Sequence, residues 1–217
     1  MNASQADREG FAAFLLRMRA LGIDNKPLFE AIEATPRADF VGGAWPDAIW
    51  LNRMLPIACG EAIEGIDIQA RALAALDIHE GHRVLEIGTG TGFTAAVMAC
   101  MAGRVLTFDR YKRLRDEATQ RFQALGLTNA FAKQADAAQG AAADGPFDRI
   151  VVWAAFDAMP RGFADQLATG GVMVAPIGEA EGEQVLVKLT KLGSRFERED
   201  LCAVRLQPLA SGVAAVL

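Results

Sequence analysis

Gly88, Gly90 and Gly92, in "LEIGTGTGF" (85–93), are spaced to fold a tight backbone loop. Glycine turns sharply and lets a ligand approach the main chain without a Cβ clash. Glu86 stands two residues before the first of them, at the end of an apolar run. An acid there makes sense as an anchor for the loop or for a cationic ligand group. Asp109 follows 21 residues after Gly88, where a carboxylate can accept hydrogen bonds from both hydroxyls of a ribose. Asp136, or the backbone beside it, is placed to meet an adenine amino group. The plainer account of Asp109 is a cap for the helix opening at "DRYKRL".

The spacing GxGxG departs from the GxGxxG of dinucleotide sites, whose third glycine packs the helix on the strand. No Walker lysine follows it. The set suits a ligand with an adenosine, a vicinal diol and an amino-acid end but no phosphate. S-adenosylmethionine is such a ligand.

A second cluster lies just upstream. "PIACGEAIEGIDIQA" (56–70) places Glu61, Glu64 and Asp67 among small and apolar residues. Carboxylates at the edge of a ligand site can orient an acceptor, act as bases, or be plain solvated side chains. His79 and His82 have i, i+3 spacing but no further ligand nearby, so no metal site is expected. Cys59 reads as a small buried hydrophobe. Trp45, Trp50 and Trp153 serve equally as pocket walls or as packing.

The elements that must position these residues alternate. "RVLEIG", "RVLTFD", "NAFAKQAD" (ending at Asp136), "FDRIVVWAA" and "VMVAPIG" read as strands. "TGFTAAVMACMAG", "RLRDEATQRFQALG" and "RGFADQLATGG" read as the helices between them, and glycines close the last two. Such alternation implies an α/β fold, a parallel sheet with helices on both faces. The acids and glycines then share the carboxyl edge of that sheet, where open α/β sheets bind ligands. The tail, "EQVLVKLTKLGSRFEREDLCAVRL", reads as a hairpin around "KLGS", adding antiparallel strands at one edge. "AAQGAAADG" (137–145) reads as a surface loop. Upstream, "FAAFLLRMRALG" and "NKPLFEAIEATP" read as helices, the second stopped before Pro36. Residues 1–55 are therefore expected to form a helical appendage, and 56–217 the ligand-binding domain.

The chain has 217 residues, 52% of them hydrophobic, enough for a sizeable core, and a net charge of −5. That balance argues against non-specific nucleic-acid binding. Neither a basic n-region with an apolar run nor a stretch of about 18 apolar residues is present, so no signal peptide and no membrane span are expected. Cys59, Cys100 and Cys202 are scattered, which fits a reducing compartment. A soluble cytoplasmic protein is expected.

"VLEIGTGTGFTAAVMA" resembles the first motif of class I methyltransferases, and more closely the VLEIGTGSGYQAAVLA of protein-L-isoaspartate O-methyltransferases. Other blocks follow in order. "ATPRADFV" (34–41) resembles VPREXFVP, and "LPIACGEAIEG" (55–65) resembles LPIGXGQTISQ. "PFDRIVVWAA" (146–155) is similar to PFDXIXVTAA, "QLATGGVMVAPIG" (166–178) to QLKXGGRXVXPVG, and "VRLQPL" (204–209) to VRFVPL. The glycine loop alone would name the superfamily; the remaining blocks are specific to the family. The resemblance implies a Rossmann-like class I fold of about seven strands. It implies methyl transfer from S-adenosylmethionine to the α-carboxyl of an L-isoaspartyl residue in an aged protein or peptide. The ester then collapses to a succinimide that reopens partly to aspartate.

Carried onto this sequence, the resemblance implies a cofactor wall of Glu86, Gly88, Thr89, Gly90, Gly92, Asp109, Arg110, Asp136 and Ala137. It implies an acceptor wall of Glu61, Ala62, Ile63 and Trp153, with Glu64 at the catalytic position. Here the chain departs from the pattern: GQTIS becomes Gly60, Glu61, Ala62, Ile63 and Glu64, so both hydroxyls are gone and an acid replaces the serine. Trp153 replaces a small threonine. An ionised Glu64 about 4 Å from an acceptor carboxylate would cost roughly 1 kcal/mol in water and about 4 at an effective dielectric of 20. Three arrangements answer this. Glu64 turns away, paired with Arg53 or Arg71; or it is protonated and donates a hydrogen bond; or it serves an amine, hydroxyl or thiol acceptor as base. A cofactor-binding protein without activity and a same-fold enzyme with another acceptor remain the alternatives.

Overall fold

The computed structural model describes residues 5–41, 45, 48–138 and 140–214. The chain opens with α1 (Gln5–Ala20), α2 (Lys26–Ala34) and α3 (Arg37–Val41). A two-stranded ribbon follows, β1 (Leu55–Pro56) against β2 (Ala62–Ile63). Then come α4 (Ile66–Leu76), β3 (Arg83–Ile87), α5 (Phe93–Ala99), β4 (Arg104–Asp109), α6 (Lys112–Ala124) and β5 (Ala130–Gln134). The chain continues through β6 (Phe147–Val152), α7 (Arg161–Ala164), β7 (Leu167–Ile177), β8 (Gln184–Leu192) and β9 (Arg195–Val204).

Seven strands form one sheet in the order β5-β4-β3-β6-β7-β8-β9. β5, β4, β3, β6 and β7 pair in parallel. β8 and β9 add antiparallel strands at the edge, as the hairpin pattern predicts. The order reverses at β3, whose neighbours are β4 on one side and β6 on the other, so the carboxyl ends there splay to leave a ligand crevice.

Side chains alternate across the sheet. Val84, Val105, Val151 and Val174 face one cluster with the helices, while Leu85, Leu106, Ile150 and Met173 face the other. Both faces are buried, which explains the near-continuous apolar runs of these strands. The first cluster includes Phe14 and Met18 of α1, Leu28 and Ile32 of α2, Leu73 of α4 and Val97 of α5. The N-terminal helices thus share the core of the sheet. Arg17 of α1 also makes a two-pronged hydrogen-bonded ion pair with Asp67 of α4, at 2.8 Å on each arm.

Local signals fix several ends. The Asn25 side chain caps α2 by accepting from the Leu28 N–H, and Pro27 sits in the first turn. The helix expected over 161–171 is one turn long, Arg161–Ala164. The β-rich stretch from Leu167 joins β7 instead, pairing with Phe147 before a register shift, and Gly170 takes a φ of +77° there. β5 stops at Gln134, two residues short of Asp136. The 137–145 loop is partly buried, through Ala137 and Ala141; Gln139 lies outside the described residues. Among the described residues no helix is long and apolar enough to cross a membrane.

Candidate functional site

The glycine loop joins β3 to α5 and folds back over the end of β4. Gly88 and Thr89 donate their N–H groups to the Phe108 carbonyl. All three glycines have positive φ, +93°, +52° and +85°, conformations that carry a steric cost for residues with a Cβ. Their surroundings differ. A Cβ on Gly88 would lie 3.2 Å from Trp153 Cβ, and one on Gly90 would lie 3.1 Å from Ile63. A Cβ on Gly92 would lie 2.8 Å from Ala118 Cβ and 3.0 Å from Phe122, both on α6. The third glycine therefore lets two helices approach, although its spacing is not that of the dinucleotide pattern.

Behind the loop, Glu86 is fully buried. Its carboxyl accepts from Thr94 Oγ1 at 2.5 Å, Thr107 Oγ1 at 2.7 Å and Trp153 Nε1 at 2.9 Å. Because Thr107 donates to Glu86, Thr89 Oγ1 is the donor in its 2.7 Å contact with Thr107. The network runs from the loop through β4 to the acid on β3. Desolvation raises the Glu86 pKa to about 7 against the pull of its three donors. Thr94 and Thr107 were not singled out from sequence; the available signal was a hydroxyl inside an otherwise apolar strand, "RVLTFD".

Asp109 ends β4 and is buried. Its Oδ2 accepts from the Gly90 N–H and its Oδ1 from the Tyr111 N–H, each at 3.0 Å. The cap residue of α6 is Tyr111, not Asp109. The acid clamps the glycine loop and still faces the cleft with its remaining lone pairs. Burial raises its pKa, with the nearby Glu61 adding to the effect.

The cleft has a cavity volume of about 140 Å³ and opens to solvent. Its walls bring together most of the residues singled out from sequence: Glu61, Ala62, Ile63 and Glu64 on one side, Gly88, Thr89 and Gly90 on another, with Asp109, Arg110, Ala137 and Trp153 completing it. Glu86 and Gly92 stand behind the wall. Asp136 is exposed, with Oδ1 accepting from the Ala138 N–H at 2.9 Å. Its neighbours Ala135 and Ala137 line the cleft in its place.

The three acids of the opening cluster part ways. Asp67 turns to Arg17. Glu61 faces the Tyr111 hydroxyl, whose pKa is raised by desolvation and then by its hydrogen bond with Glu61. Glu64 is buried at the cleft, and desolvation followed by repulsion from Glu86 lifts its pKa to about 7. Neither arginine proposed from sequence meets it: Arg71 donates to the Leu201 carbonyl and Arg53 lies over the Trp45 ring. The cation acting on Glu64 is the buried Arg37. Its sequence signal, an arginine after Pro36 between apolar helices, went unread.

The other candidates are structural. His82 Nδ1 accepts from the His79 N–H, and no group of three metal-binding side chains occurs among the described residues. Cys59 is half-buried in the ribbon loop with φ +65°. Trp50 packs on Phe11 and Phe14 and donates to Asp7.

The donor set suits the ligand inferred from sequence. Paired oxygens at Asp109 suit the hydroxyls of a nucleoside, the loop glycines admit close approach, and the buried Arg110 Nε, without a partner among the described residues, can donate to an acceptor atom of the ligand. Comparison with known proteins agrees. The family model for protein-L-isoaspartate(D-aspartate) O-methyltransferase (PCMT) matches residues 12–214. A protein-L-isoaspartate O-methyltransferase from Rhizobium meliloti is 43% identical over 202 residues, covering 93% of this chain and 99% of that protein. The one from Azorhizobium caulinodans is 42% identical over 217 residues and the full length of both. A solved protein-L-isoaspartate O-methyltransferase superposes with a TM-score of 0.81 at 21% identity, covering 94% of this chain and 67% of that one. A β-aspartate methyltransferase (PCMT) from Plasmodium falciparum, in complex with S-adenosyl-L-homocysteine, gives 0.76 at 22% identity over 91% and 97%. This chain belongs to the protein-L-isoaspartate(D-aspartate) O-methyltransferase family.

Proposed function

We propose that this protein methylates the free carboxyl of L-isoaspartyl residues in proteins and peptides, with S-adenosylmethionine as methyl donor. The observation that carries the reading is the meeting of the Asp109-clamped glycine loop with the Glu61–Glu64 segment on one cleft. One wall suits the donor and the other the acceptor.

When bound, S-adenosylmethionine supplies an electrophilic methyl group on a sulfonium. The acceptor carboxylate already carries the attacking lone pair, so the chain's task is alignment, which contributes about 7–11 kcal/mol in favourable cases. Asp109 and Arg110 would hold the adenosine end, with the backbone near Ala135 and Ala137 beside the base. Gly88, Thr89 and Gly90 let the donor lie against main chain. Ala62 and Ile63 close the site against water.

Glu64 stands where the family motif carries serine. Burial, together with repulsion from Glu86, raises its pKa to about 7, so it takes up a proton as pH falls through neutrality. A protonated Glu64 donates to the acceptor instead of repelling it. That favours a carboxylate acceptor over one needing a base.

The test is transfer of labelled methyl to an isoaspartyl peptide beside its aspartyl twin. Label on the isoaspartyl peptide alone is expected. Absence of label on both, with S-adenosylhomocysteine bound normally in a calorimeter, would return the acceptor to an amine, hydroxyl or thiol.

A further inference from the structure

We propose that Gln69, oriented by Arg37, is a specificity-determining side chain of this site and donates an N–H to the acceptor carboxylate. The proposal rests on the isoaspartyl reading above and names a residue that reading does not contain.

Arg37 is 1% exposed. Its Nε donates to the Ile49 carbonyl and its Nη1 to Gln69 Oε1, both at 2.7 Å. Its guanidinium carbon lies 4.4 Å from the centre of the Phe93 ring, at the start of α5. The cation is thus fixed between the N-terminal helices and the helix that follows the glycine loop. An arginine only donates hydrogen bonds, so the Gln69 atom it meets must be the oxygen. That settles which way the amide points, a choice that otherwise rests on weak grounds.

The consequence falls on the other end of the amide. Nε2, with its two N–H groups, has no hydrogen-bond partner among the described residues. Gln69 is 3% exposed, and it lines the cleft together with Glu64. Several polar side chains of the cleft are engaged within the protein: Thr94 and Trp153 with Glu86, Thr89 with Thr107, Asp109 with backbone N–H groups. Arg110 Nε has no partner among the described residues, but it follows Asp109 on the wall assigned to the methyl donor. Among the described residues Thr91 is another buried lining side chain whose hydroxyl has no partner. It lies on the glycine loop, whereas Gln69 shares Arg37 with Glu64.

Nε2 is not sealed off in the core: it opens onto the cleft, so its two N–H groups are free to meet a ligand there. An anion is the ligand whose charge both Nε2 and the cation behind it favour. An acceptor carboxylate in the cleft satisfies Gln69 and gains from Arg37 at one remove. Arg37 acts as a positioning residue, because its own contact is with the amide.

The experiment compares three variants of the full chain on the isoaspartyl peptide. Gln69→Glu keeps an oxygen toward Arg37 and removes both N–H donors. Gln69→Leu removes the donor and the acceptor. Thr91→Val removes the competing hydroxyl. KM for the peptide is expected to rise about tenfold or more in both Gln69 variants, the factor lost with one hydrogen bond to a charged group. Affinity for S-adenosylhomocysteine is expected to hold within twofold, and kcat to change less than KM. A KM within twofold of wild type in Gln69→Glu overturns the proposal and leaves the isoaspartyl reading intact. A KM rise confined to Thr91→Val overturns it as well. Loss of S-adenosylhomocysteine binding in both Gln69 variants makes Gln69 a structural brace and overturns it. Failure of wild type to label the isoaspartyl peptide overturns both reading and proposal.

Discussion

The Trp153 indole nitrogen donates to Glu86 Oε1 at 2.9 Å. A residue that the family resemblance sets in the acceptor wall, where a small threonine would stand, is also the third donor to a buried acid. Trp153→Phe keeps the ring and removes that donor. A hydrogen bond to a charged group is worth about 1.5–3 kcal/mol, so a loss of about 2 kcal/mol is expected at pH 8. The urea midpoint measures it. An unshifted midpoint would mean that Thr94 and Thr107 suffice for Glu86.

Gly92 and Gly126 separate backbone strain from packing. Gly126 has φ +68° with nothing near its missing Cβ, whereas Gly92 has φ +85° and Ala118 Cβ at 2.8 Å. Gly126→Ala should cost about 1–2 kcal/mol, from the left-handed backbone alone. Gly92→Ala should cost about 1–3 kcal/mol more, because α5 and α6 must separate. Denaturant unfolding of both variants tests this, and equal losses would deny Gly92 its packing role.

Asp109 both clamps the loop and faces the cleft. Asp109→Ala should weaken S-adenosylhomocysteine binding by about 10- to 100-fold, the range for one or two hydrogen bonds to a charge. Asp109→Asn keeps one oxygen acceptor and should lose less. Calorimetry gives the affinities. A lowered melting temperature with unchanged affinity would leave Asp109 only the clamp to Gly90 and Tyr111.

Glu64 sets a pH dependence with a definite sign. Its folded pKa of about 7 lies above the ordinary 4.5, as does that of Glu86. The folded state therefore binds more protons than the unfolded one. Its stabilising contribution is full below about pH 4.5 and is lost as pH rises through about 7. The charged groups acting on Glu64 are Glu86 on β3 and Arg37 on α3. Isoaspartyl methylation by wild type should improve as pH falls through 7, because protonated Glu64 stops repelling the acceptor. Glu64→Gln should be faster than wild type at pH 8 and flat across this range. Identical profiles for the two proteins would remove Glu64 from the acceptor site.

Much of this protein is legible in its sequence, for a physical reason. A parallel sheet buried on both faces writes itself as apolar strands ending in glycines and acids. The strand ends carrying Glu86, the glycine loop and Asp109 were therefore visible, as were the tail hairpin and the Gly126 stop. Contacts that close over long separations were not. The sequence marks Glu61, Glu64 and Asp67 as one acidic cluster. Only packing sends Asp67 to Arg17, Glu61 to Tyr111 and Glu64 into the cleft under Arg37. Asp136, or the backbone beside it, read as facing an adenine; the chain leaves β5 two residues early, turns that carboxylate to Ala138 and sets the neighbouring Ala135 and Ala137 on the cleft. Residues 1–55 read as an appendage because their helices carry no site motif. Their apolar faces nevertheless join the main core, and α3 delivers Arg37 to Gln69. Periodicity reports which side of an element is buried. Which partner it meets there, and how far a buried carboxyl is held from water, depends on the packed whole.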